Sequence, residues 1–252
     1  MRNPKSDMSP PAPAAIPDFV HADLEALGFD LPAELLDRLA AYLALLLDAN
    51  TRMNLTAVRD ADDAWRRLII DSLTPLPGLD DLAEDSTLID VGTGGGLPGI
   101  PLAIARPDLR VSLLEATGKK AAFLRDAAEA LPLPDVTVLN DRAETLGQHA
   151  AHREHYDAAV CRAVGPMNVL LELCLPLIKT GGRLLAMKGP KAEAELKDAG
   201  DALDRLGAGD LTVHDAYPES FDKDLVIITI EKDRPTPKPY PRPPGMPKRE
   251  PL

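Results

Sequence analysis

Cysteine is almost missing from this chain. Only Cys161 and Cys174 occur among 252 residues, and they fall on different predicted elements. A disulfide framework is excluded, and reduced thiols in a cytoplasmic protein are expected. Aromatic residues are scarce at 4%, with Trp65 the single tryptophan. No apolar run reaches about 18 residues, so no transmembrane helix is predicted. Residues 1–17 lack an apolar signal-peptide core, so secretion is not expected, and their proline and alanine content predicts disorder. Basic charge is also short, and the net charge of −12 excludes a nonspecific nucleic-acid coat. His149, His152 and His155 form a regular run, but without thiolates it reads as a solvated helix end, and no metal site is expected.

What the chain does have is glycine, concentrated in one stretch. The run Leu88-Ile-Asp-Val91 is β-prone and precedes Gly92, Gly94, Gly95, Gly96 and Gly99. Apolar residues then recur at roughly helical spacing from Leu97 to Ile104. The pattern is strand, glycine turn, helix. Glycine tolerates positive φ and close approach of a ligand, and the first amides of a helix lack helical partners and would face that turn. Gly94-x-Gly96-x-x-Gly99 fits a dinucleotide fingerprint, a weak signal alone.

Around that turn the elements alternate. Helices are predicted over 18–27, 32–50 and 61–71. Strands are predicted over 87–91, 110–115, 136–139, 156–161 and 183–187, with helices over 98–105, 169–177 and 191–206. Two closing strands, 211–217 and 224–232, read as an antiparallel pair. This predicts an α/β fold with a mostly parallel sheet covered on both faces. The organisation expected is a disordered segment 1–17, a helical extension 18–80 packed on the core, a nucleoside-binding domain 81–233, and a tail 234–252. The proline-rich tail carries five basic residues against the single acid Glu250.

Three features bear on the ligand. Asp90, just before the glycine turn, could anchor the turn's amides or meet the ammonium of a methionine moiety, and it would repel a pyrophosphate. Glu115 closes the second strand, where a carboxylate accepts ribose hydroxyls of either ligand class. The terminal antiparallel pair leaves one nucleoside site rather than two. The balance moves from a nicotinamide cofactor toward S-adenosylmethionine.

The extended motif Asp90-Val-Gly-Thr-Gly-Gly-Gly-Leu-Pro-Gly-Ile-Pro-Leu102 resembles the glycine signature of the bacterial 16S rRNA guanine-N7 methyltransferases. Segments beginning at Asn54, Ile70, Leu114, Arg142, Cys161 and Ala186 resemble the same family in the same order, as does the basic ending from Tyr240. The resemblance implies a seven-stranded, Rossmann-like class I methyltransferase sheet with an antiparallel C-terminal hairpin and a helical N-terminal extension. It implies transfer of a methyl group from S-adenosylmethionine to N7 of a guanine in the 530 loop of 16S rRNA. The partner would be that RNA or a small-subunit precursor, and the chain would act as a monomer. It places Gly92, Gly94 and Leu97 by the methionine and ribose, and Ala143 and Glu144 by the adenine. Glu115 is the expected ribose ligand on physical grounds. Arg162 resembles the family's cofactor- and substrate-contacting arginine, and Lys188 is assigned to catalysis by the same logic. Gly95, Cys161 and Leu68 stand where the family often has proline, serine and histidine. N7 has no proton to lose, so no general base or covalent intermediate is required. The tail, with Arg67, Arg142, Arg162 and Lys188, is expected to face RNA, and its removal to leave cofactor affinity alone. Rival readings are a small-molecule or protein methyltransferase and a non-catalytic nucleotide-binding regulator.

Overall fold

The chain opens with helices whose apolar residues recur at helical spacing, then switches at Thr87 to strands, the first of them buried on both faces. A computed structural model describes residues 11–218, 221 and 224–252. First come α1 (Asp18–Ala26) and α2 (Ala33–Asn50). The next helix starts as α3 (Ala61–Ala64), where the Asp60 carboxylate accepts the Asp63 amide at 3.0 Å. It then widens into a π-helical turn at Trp65–Ile70 and ends as α4 (Asp71–Leu73). The segment predicted as one helix is helical throughout but passes through this π turn, on which Trp65, Leu68, Ile69 and Ile70 are all buried. Such π turns often sit beside functional sites.

The α/β part follows as β1 (Thr87–Val91), α5 (Gly99–Ala105), β2 (Arg110–Leu114), α6 (Gly118–Ala130) and β3 (Val136–Leu139). It continues with α7 (Ala143–Leu146), β4 (Tyr156–Arg162), α8 (Met167–Cys174) and β5 (Ile178–Lys188). The predicted polar helix over 191–206 is two short helices, α9 (Ala192–Lys197) and α10 (Gly200–Leu206). The closing strands are β6 (Ala208–Asp215) and β7 (Val226–Lys232), and α11 (Met246–Arg249) lies in the tail.

The seven strands run β3-β2-β1-β4-β5-β7-β6. Only β7 pairs antiparallel, with β5 on one side and β6 on the other. The chain direction across the sheet reverses between β1 and β4, and open α/β sheets bind ligands at the carboxyl ends of strands at such a point. Leu88 faces one apolar layer, shared with α1, α2, α5 and α6, while Ile89 and Val91 face the other, shared with α7, α8 and α10. The N-terminal helices thus cover one face of the sheet.

Two terminal segments depart from expectation. Residues 1–10 lie outside the described residues, but 11–17 are seated on the helices. The Ala14 amide donates to Ala40 O at 3.1 Å, and Trp65 Nε1 donates to Ala15 O at 2.8 Å. A buried indole needs an acceptor, and this segment supplies it.

The tail, expected to face RNA, is docked on the folded domain. Its prolines have no amide to donate, but its carbonyls still need donors. Arg153 supplies them, reaching Thr236 O at 2.6 Å and Tyr240 O at 2.7 Å while anchored to Gly147 O, just after α7, at 2.8 Å. Gln148 donates to Pro241 O at 2.9 Å, and Asn168 to Leu252 O at 3.1 Å. Arg242 grips the fully buried Glu172 through its guanidinium and its own amide. At the root of the tail, buried Lys232 donates to Leu175 O and Ile178 O and pairs with Glu154. Burial pushes its ammonium down to about 8.

Candidate functional site

The glycine turn is built as its residue types demand. Gly92, Gly94 and Gly96 have φ of +74°, +61° and +100°, a region side chains with a Cβ rarely enter. Gly92 and Thr93 both donate their amides to Leu114 O at the end of β2. Asp90 has no exposed surface. Its Oδ2 accepts the Thr93 hydroxyl at 2.6 Å and the Gly99 amide at 2.8 Å. The start of α5 therefore serves Asp90 rather than opening toward a ligand, because a buried carboxylate must be hydrogen-bonded. The other oxygen, Oδ1, has no partner among the described residues. Burial pushes the carboxyl up to about 6, against the hydrogen bonds from Thr93 and Gly99 and the charge of Arg162.

Glu115 braces the same turn. Its Oε2 accepts the Gly94 amide at 3.1 Å and its Oε1 the Thr117 amide at 2.7 Å. Each carboxylate oxygen retains a free lone pair for a hydroxyl donor. From the opposite side, buried Tyr42 on α2 donates to Gly95 O at 2.8 Å. Asn50 holds the neighbouring loop by accepting the Leu55 and Thr56 amides at 2.9 and 3.0 Å.

Beside this turn lies a cavity of about 200 Å³. Val91, Leu114, Val169 and Leu173 give it apolar walls, and Gly92, Ala143 and Glu144 border it. The predicted residues are therefore only partly gathered. Gly92, Ala143 and Glu144 line the cavity. Gly94 lies in the turn and Glu115, directly after β2, braces it; neither lines the cavity. Leu97 is packed in the apolar layer with α2 and α5 instead, because the turn folds it inward and its amide bonds Thr93 O.

Arg162 stands apart from the cavity, at the end of β4 on the side of the N-terminal helices. Its guanidinium donates to Arg67 O at 3.1 Å. Burial pushes it down from its ordinary value, while Asp71 and Asp90 favour its charge. The Tyr217 hydroxyl donates to Asp71 Oδ1. Asp71 and Tyr217 were not legible as site residues, although Ile70-Asp-Ser72 was among the family-like segments. Tyr217 carried no signal, since it reaches the site only through the return of β6.

Lys188 is corrected by the structure. Its ammonium is buried, donating to Gly165 O at 2.6 Å and pairing with Glu195 at 2.7 Å. It holds the loop after Arg162 rather than facing an open site. That loop carries Ala163 at φ +56°, a left-handed conformation that costs a non-glycine residue about 1–3 kcal/mol. Val164 in the same loop packs against Gly92 and lines the cavity.

The histidine run lies before β4, at the amino-terminal end of that strand, away from Arg162 at its carboxyl end, and His152 Nδ1 pairs with Tyr156 Oη at 2.9 Å. Both cysteines are buried and free. No helix among the described residues is long and apolar enough to cross a membrane.

A family model described as rRNA small subunit methyltransferase G matches residues 35–222. The Ribosomal RNA small subunit methyltransferase G of Moorella thermoacetica is 42% identical over 225 residues, covering 89% of this chain and 93% of that protein. The protein of the same name from Roseiflexus sp. is 44% identical over 237 residues, covering 93% and 99%. Among solved structures, a putative S-adenosyl-L-methionine-dependent methyltransferase from Methanococcus maripaludis aligns over 69% of this chain and 90% of its own. Its TM-score is 0.51 at 15% identity, a likeness of fold.

Proposed function

The chain belongs to the rRNA small subunit methyltransferase G family, and on that premise we propose that it methylates N7 of a guanine in the 530 loop of 16S rRNA, with S-adenosylmethionine as donor. The observation that carries this reading is the presence of two separate features at the strand ends around the switch point of the sheet. One is a purine-sized cavity edged by Gly92, Ala143 and Glu144; the other is a half-buried arginine at the end of β4.

The residues present fit this cofactor. The unpartnered Asp90 Oδ1 lies beneath the glycine turn and suits the cationic amino group of a methionine moiety. The free lone pairs of Glu115 suit ribose hydroxyls, and the apolar slot suits an adenine ring. When bound, S-adenosylmethionine supplies an electrophilic methyl on a sulfonium sulfur.

The protein's task is then orientation. Guanine N7 carries a lone pair and no proton, so no side chain must take one, and catalysis rests on alignment and charge stabilisation. Arg162 is placed to donate to guanine O6 or an adjacent phosphate. Lys188 acts as a positioning residue, since its bond to Gly165 holds the loop that follows Arg162.

The test is methyl transfer from labelled S-adenosylmethionine to small ribosomal subunits, naked 16S rRNA and total protein, with the modified base mapped. Label at guanine N7 in the 530 loop is expected. Label in protein alone, at another atom, or in none of the three overturns the reading. The free protein is expected to sediment as a monomer.

A further inference from the structure

One wall of the cavity comes from none of the strand-end loops. Gly245, Pro247 and Lys248 of the tail border it, together with Glu144 and Val164. Three attachments bring the tail there. The Gly245 amide donates to Glu144 Oε1 at 2.8 Å, so one oxygen of this cavity residue is committed to the tail. Arg242 is fastened to fully buried Glu172 on α8 by a bidentate pair and a backbone bond. Pro241 packs on Gly147 so closely that a Cβ there would lie 2.8 Å from Pro241 Cγ. These contacts reach α7 and α8, the helices flanking the cavity. Gly245 itself sits at φ +85°, which turns the chain so that Pro247 and Lys248 reach the rim.

We propose that residues 245–248 are part of the cofactor site, closing its purine end, and that Glu144 acts there as a positioning residue for the tail. This rests on the reading that the cavity takes the nucleoside of S-adenosylmethionine. It departs from the expectation that the tail serves RNA alone. Seating of the tail and binding of the nucleoside become one linked equilibrium, so each stabilises the other.

The experiment titrates S-adenosylhomocysteine into the full-length protein, a chain lacking 245–252, and the Gly147→Ala variant, by calorimetry. The truncation keeps the Arg242–Glu172 pair. Gly147→Ala crowds Pro241 at 2.8 Å and also brings a Cβ to 3.2 Å from Ala143 O at the cavity edge, so it is read together with the truncation. The dissociation constant should rise about tenfold on truncation and several-fold in Gly147→Ala. In the unaltered protein, hydrogen exchange across 240–252 should slow when S-adenosylhomocysteine is added, a readout independent of whether the variants fold. Dissociation constants within twofold of full length, or exchange that the ligand leaves unchanged, overturn the tail's role while leaving the methyltransferase reading intact. Failure of the full-length protein to bind S-adenosylhomocysteine overturns both.

Discussion

Arg162 and Asp90 sit close together yet have separate tasks. Arg162 borders no part of the nucleoside cavity, so its loss should affect transfer rather than cofactor binding. Arg162→Ala should lower the methylation rate at saturating cofactor by about a hundredfold, the usual scale for one lost charge-stabilising donor. The dissociation constant for S-adenosylhomocysteine should stay within about twofold, as calorimetry can check. Asp90 carries a pH signature. Burial raises its carboxyl to about 6, above the ordinary 3.8 of an aspartate. Between those values the folded chain holds a proton that the unfolded chain has released. Stability from this group is therefore fully present below about pH 4 and lost as pH rises through 6. Asp90→Asn cannot titrate. Urea unfolding should show its stability relative to the parent rising by about 2 kcal/mol between pH 4 and 7. A flat difference would mean that the carboxyl titrates normally.

At the scale of elements, the glycine turn is held from two sides. Glu115 grips the Gly94 amide and Tyr42 grips the Gly95 carbonyl. Tyr42→Phe leaves that carbonyl buried without its donor and should cost about 1–3 kcal/mol in chemical denaturation, with weaker cofactor binding as the turn loosens. Gly96→Ala should be worse. It places a Cβ at φ +100° and 2.6 Å from Ile100 Cδ1, and about 1–3 kcal/mol of backbone strain precedes any repacking. The turn was legible because glycines clustered after a β-prone run. Tyr42 was legible only as part of the apolar stripe of α2. The spacing that buries it says nothing of where its hydroxyl points. Lys188 was misjudged for the same reason: a strand-end position is read from sequence, whereas Glu195, seven residues on, claims its ammonium only once α9 folds back.

At the scale of the molecule, the N-terminal helices share one apolar layer with α5 and α6. Removing residues 1–80 would bare that face of the sheet, so no folded remainder is expected. Deleting only 1–17 is a gentler probe. It takes away the acceptor of the Trp65 indole, and the single tryptophan should shift its emission to the red with a lower Tm. An unshifted spectrum would show that 11–17 do not cover it in solution. The net charge of −12 makes any attraction to RNA phosphate local, so the salt dependence of RNA binding should reflect a few contacts rather than a long basic track.

Periodicity and residue type by themselves determined that helices precede a parallel sheet, that a glycine turn follows β1, and that the last two strands pair antiparallel; the insertion of β7 between β5 and β6 came from the tertiary structure. These depend on backbone preferences and burial patterns that recur within a few residues. The extended glycine signature and its companion segments carried the family. Tertiary structure alone decided which distant side chains meet. It brought Tyr42 and Glu115 to the same turn, set Asp71 and Tyr217 beside Arg162, and turned Lys188 away. It also folded a basic, proline-rich tail onto the cavity, where the sequence predicted a segment facing RNA. Prolines without amides look unstructured in a linear reading, yet their carbonyls find Arg153 and Gln148 only across the folded molecule.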